Sequence, residues 1–106
     1  MGMFINGQWI QAKDQNKFSV LNPANGNVIA QVPDGGELEA DMAVTAASEA
    51  FPIWAARTAY QRSAFLYEAH ALMMENLEHL AQTMTCEQGK PIQAARNEVR
   101  YGADFL

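Results

Sequence analysis

At 106 residues the chain can bury one modest core, and an apolar fraction of 49% with only four prolines and seven glycines reads as globular, not disordered. A net charge of −5, with acids and bases interspersed, argues against nucleic acid, which needs a basic face. One cysteine cannot close an internal disulfide, the start lacks a secretory or myristoylation pattern, and no apolar run could span a bilayer, so the expectation is a cytoplasmic protein without a membrane partner.

The first third reads as β structure. Phe4-Ile5 and Gln8-Trp9-Ile10 flank Asn6-Gly7, a two-residue hairpin signal, because both turn positions need positive φ. Phe18-Ser19-Val20-Leu21 is a short strand stopped by Asn22-Pro23. Val28-Ile29-Ala30-Gln31-Val32 is another, stopped by Pro33-Asp34-Gly35-Gly36. Two small hairpins are expected.

The remainder is helical. Glu37 and Glu39 set negative charge in a first turn, where the helix dipole favours it. Ala40, Ala43/Val44, Ala47 and Phe51 follow at helical spacing, and Pro52 is expected to end that helix. Thr58 and Gln61 match a capping box. The stripe Leu66, Ala69, Met73, Leu77, Leu80, Met84 then predicts one long helix from about Ala59 to about Gln88, with Glu75 and Glu78 away from its buried face. Gly89 suits the position after a helix and Pro91 the first position of the next. The last helix, with Ile92, Ala95, Val99 and Phe105/Leu106, meets no stop signal, so the chain reads as truncated.

The segment Thr85-Cys86-Glu87-Gln88-Gly89-Lys90-Pro91 could be a nucleophile with a base and an anion partner, or the end of one helix and the start of another. Thiolates are activated at helix amino termini or beside cations; Cys86 falls at a carboxyl terminus beside Glu87, which favours the second reading. His70 and His79 lie on opposite faces of one helix and cannot chelate one metal, and a Glu75–His79 pair alone makes no site. Leu72-Met73-Met74 reads as core filler. Gly35-Gly36 is not a phosphate loop, for there is no G-x-G-x-x-G and no G-K-[ST]. Within residues 1–106 the residues complete neither a catalytic nor a cofactor-binding constellation.

Several linked stretches carry a resemblance: "INGQW" at 5–9, "NPANG" at 22–26, "AFPIW" at 50–54, "RSAFL" at 62–66, "EQGKP" at 87–91 and "EVRYGADFL" at 98–106. Together they resemble the amino-terminal portion of the aldehyde dehydrogenase superfamily, and among its branches most the succinate-semialdehyde dehydrogenases. The resemblance implies an α/β fold in which residues 1–106 are the amino-terminal segment, two β-hairpins followed by three α-helices, of a Rossmann-like cofactor-binding domain. The catalytic and oligomerisation domains would lie outside this chain. It implies a longer parent enzyme, a homodimer or homotetramer, that oxidises a small aldehyde with NAD or NADP through a cysteine thioester. The family's nucleophile, base, oxyanion asparagine and cofactor-binding segments come later, so none maps here and Cys86 is a bystander. One family feature maps: a monovalent-cation site on the backbone carbonyls of Val20 and Leu21 and the carboxylate of Glu98, where the family more often has aspartate. Glu98 otherwise reads as a surface acid between Arg96 and Arg100. The competing class is an autonomous, non-catalytic helical interaction module.

Overall fold

The structure, a computed structural model, describes residues 2–106. Four strands are followed by four helices, and the chain divides into two units, one of residues up to 20 with 30–57 and one of residues 21–29 with 58–106.

In the first unit, β1 (Met3–Ile5) and β2 (Gln8–Ile10) pair antiparallel, with Phe4 opposite Trp9 and Ile5 opposite Gln8. The Asn6-Gly7 turn closes them with φ of 50° and 75°, the doubly left-handed geometry that this pair of residues was expected to supply. Phe4 and Trp9, both exposed, meet in a tilted ring contact at 5.2 Å between centroids, and β1 lies against α1 (Glu37–Ala55). The second pair, β3 (Lys17–Leu21) and β4 (Val28–Pro33), forms the other expected hairpin.

Helix α1 does not stop at Pro52; it continues to Ala55. Proline deletes its own N–H, but its carbonyl still accepts from Ala56 N–H at 3.1 Å, which closes one further turn.

In the second unit the loop 22–27 is tied by Asn22, whose carbonyl accepts from Gly26 N–H at 2.8 Å and whose side-chain oxygen accepts from Ala24 N–H at 2.9 Å. The capping box forms as read: Thr58 Oγ1 accepts from Gln61 N–H, and Gln61 Oε1 from Thr58 N–H. The single long helix does not form. It is divided at Asn76 into α2 (Ala59–Glu75) and α3 (Leu77–Gln88). Asn76 Nδ2–H and its own backbone N–H both donate to the Leu72 carbonyl, and its φ and ψ of −97° and 16° leave the helical basin. A side chain that competes with the backbone in this way is why asparagine interrupts helices.

Helix α4 (Ile92–Ala103) packs mainly on α3. Its start is one residue later than read: Pro91, with ψ of 135°, caps the helix and does not open it. The helix also ends at Ala103, although the pattern was expected to continue through Leu106. Phe105 and Leu106 reach back to the Gly102 and Ala103 carbonyls, a tightened final turn after Gly102, a poor helix former, and before Asp104, whose charge opposes the dipole there. The core of this unit is Ala81, Ala95 and Val99, ringed by Met73, Leu77, Leu80, Met84 and Ile92. Leu77 and Leu80 are half-buried as the stripe predicts, whereas Leu66 is 40% exposed. Among the described residues no large side chain is fully buried, and Phe51, Ile53 and Trp9 lie open.

Candidate functional site

Two polar corners carry the chemistry-bearing residues, one in each unit. The first is at the start of α1. Glu39 is almost fully buried, its Oε1 accepting from Lys13 N–H and its Oε2 from Gly36 N–H, each at 2.9 Å. The Lys13 amide, then the Gly36 amide, hold its carboxyl below the usual carboxylate range, against the opposing effect of burial. The sequence placed Glu39 in a first turn but did not foresee its burial or the tie across 26 residues to Lys13. The available signal was its position three residues after Gly36, where a carboxylate reaches back to an amino-terminal amide.

This corner does not fit a dinucleotide phosphate. A helix that holds phosphate leaves its first amides open to the anion; here the Gly36 amide is taken by the chain's own carboxylate. At this corner the chain's own carboxylate therefore occupies the place an anion would need.

The second corner is built by the residues 85–91. Cys86 is exposed in the last turn of α3. Gly89 then turns left-handed at φ 70° and donates its N–H to the Thr85 carbonyl at 2.9 Å, so the segment is a helix stop. Lys90 reaches across to α4 and pairs with Glu98. Arg96, two residues earlier on α4, forks onto Glu78 of α3, with Nη2 3.0 Å from Oε2. That guanidinium holds the Glu78 carboxyl low, and Glu78 in turn raises Arg96. An open groove of about 430 Å³ runs beside this corner, floored by Met73, Leu80, Met84 and Val99 and edged by Glu87 and Glu98.

Of the residues assigned to a cation, Val20 and Leu21 close β3, and Glu98 stands on the half-exposed face of α4, paired with Lys90. His70 lies with Nε2 3.8 Å from Asp104 Oδ1, and His79 is exposed. Among the described residues no three His, Cys, Asp or Glu side chains gather as a metal site, and no helix is long and apolar enough to cross a membrane.

A test of the first corner follows from its sign. A carboxyl held low in the folded state adds stability that is present above its unfolded value, near 4.5, and lost as pH falls through the folded value. The stability gap between wild type and Glu39→Gln should therefore be widest at pH 7 and shrink on acidification below about 4.5. Both tryptophans, Trp9 and Trp54, lie in the same unit as Glu39, so their fluorescence in urea titrations reads it directly. A gap of equal size at pH 7 and pH 3 would refute the tie.

Comparisons with known proteins meet this geometry. The aldehyde dehydrogenase family model matches residues 9–106. Glutarate-semialdehyde dehydrogenase of Pseudomonas putida is 46% identical over 103 residues, 97% of this chain and 22% of that protein. The NADP⁺-dependent succinate-semialdehyde dehydrogenase of Escherichia coli is 43% identical over 102 residues, 96% of this chain and 21% of that protein. A solved structure described as an E. coli NADP-dependent enzyme superposes with a TM-score of 0.97 at 42% identity, over 98% of this chain and 22% of that one. The chain thus spans about a fifth of the length of these relatives. Its paired strands followed by helices are the amino-terminal part of their fold. The match over nearly the whole sequence, on the same arrangement of elements, places this chain in the aldehyde dehydrogenase family.

Proposed function

We propose that residues 1–106 are the amino-terminal segment of the cofactor-binding domain of an NAD(P)-dependent aldehyde dehydrogenase, and that the whole enzyme oxidises a short semialdehyde to the dicarboxylic acid. Succinate semialdehyde is the leading candidate. The observation that carries this is the identity of 46% and 43%, over almost the full chain, to enzymes named for glutarate and succinate semialdehydes. The whole enzyme is then a cytoplasmic homodimer or homotetramer.

The reaction would use a cysteine thiolate, an oxyanion pocket and a water-activating carboxylate from the remaining domains, with NAD(P)⁺ supplying the hydride acceptor. This segment contributes scaffold. Its exposed thiol lies in the last turn before a helix stop, its helix-start amide is self-occupied, and its wide-open apolar faces suit burial against further chain.

The test pairs the isolated 106-residue chain with the full-length enzyme, following NAD(P)H formation with succinate semialdehyde, glutarate semialdehyde and simple alkanals. The expected result is turnover by the full-length enzyme, fastest with a semialdehyde, near-normal turnover by its Cys86→Ser variant, and none from the chain alone. Loss of activity in Cys86→Ser with the fold intact would make the thiol catalytic, and faster turnover of alkanals than of both semialdehydes would overturn the substrate.

A further inference from the structure

The family resemblance puts a monovalent cation on the Val20 and Leu21 carbonyls and the Glu98 carboxylate, but the donor set of this chain fits a resident ion poorly. Glu98 is the only charged group in that set, and the ammonium of Lys90 is already bonded to it. A single carboxylate balances a single positive charge. A potassium or sodium ion added beside Lys90 would face an ammonium competitor tethered eight residues away and already seated on the same carboxylate.

We infer that Lys90 is a built-in cation: its ammonium does for Glu98 what a bound monovalent ion would otherwise do. The backbone supports this. Gly89 at φ 70° and Pro91 at φ −54° fix the residues on both sides of Lys90, so that the side chain leaves a preset corner and not a loose loop. The Lys90 side chain is 30% exposed and that of Glu98 47%, so the pair is partly sheltered. Removing Lys90 would leave Glu98 unpaired beside the groove that Glu87 also borders, a negative corner for a small cation to fill.

The inference is independent of the aldehyde reading and is tested without an activity assay. The melting temperature of the full-length protein is measured in KCl, NaCl and choline chloride at equal ionic strength, for wild type, Lys90→Met and Lys90→Arg. The wild type and Lys90→Arg should melt alike in all three salts. Lys90→Met should melt about 2 °C or more higher in KCl or NaCl than in choline chloride, because an ion that binds only the folded state raises its stability. Potassium or sodium stabilisation of the wild type by the same amount would show that an ion sits there beside Lys90 and overturn the inference. A Lys90→Met protein as indifferent to the salt as wild type would overturn it equally, by showing that the corner takes no ion when the ammonium is gone.

Discussion

Ala95→Leu should destabilise the second unit by about 1–3 kcal/mol, and more if the helices cannot part. Ala95 is 0% exposed and sits against Ala81, also 0% exposed, where α4 crosses α3. Two facing alanines let the helix backbones come close, and there is no void for three further carbons. The control is one residue away. Ala94 is exposed on the same helix, so Ala94→Leu carries the same change of propensity and size without entering the contact. Urea titrations followed by helical circular dichroism compare the two. If Ala95→Leu shifts the midpoint no more than Ala94→Leu, the α3–α4 packing described above is wrong.

That contact shows how much of the fold the sequence held. The hairpin turn at Asn6-Gly7, the capping box at Thr58 and the stop at Gly89 were legible because each is set by residues within a few positions of one another. The stripe located the core-facing side of α3 correctly at Leu77 and Leu80. It could not reveal the break at Asn76, because periodicity counts apolar positions and is blind to an amide that bonds back to Leu72. It also counted Leu66, which is 40% exposed: a helical stripe says which face is apolar, not where along the helix a partner lies. Pro52 failed in the opposite sense, a strong local signal outlasted by one further turn.

The polar sites were less legible for a related reason. Glu39 meets Lys13 across 26 residues, and Arg96 meets Glu78 across 18. Neither separation has a local signature, so an acid in a first turn and an acid on a solvated face were all that the sequence offered. The Lys90–Glu98 pair lies only eight residues apart, yet spacing alone could not find it, because the Gly89-Lys90-Pro91 corner bends the chain between them. Family resemblance told where this chain belongs. It did not tell which of its charges are already spent on one another.

Gly89→Ala is expected to cost about 1–2 kcal/mol from backbone geometry alone, because an L-residue at φ 70° brings its Cβ against the following carbonyl. The surroundings add to this. A Cβ at Gly89 would come within 3.1 Å of Pro23 Cγ, a ring in the loop 22–27 that its own hydrogen bonds hold in place. Relief by a small ring shift is limited, since Pro23 follows Asn22, whose carbonyl and side chain are both engaged. The substitution should also loosen the corner that presents Lys90 to Glu98. Two variants separate the effects. Gly89→Asn tolerates the left-handed backbone but keeps the Cβ, so it should lose less than Gly89→Ala and still more than nothing. Gly26→Ala, at φ 73° with no atom within 4 Å of the added carbon, reports backbone strain without a clash. The expected order of unfolding midpoints is wild type, then Gly26→Ala, then Gly89→Ala. Equal losses at the two glycines would remove the Pro23 contact from the account, and a Gly89→Ala midpoint at the wild-type value would show that "TCEQGKP" does not stop the helix in the left-handed turn seen here.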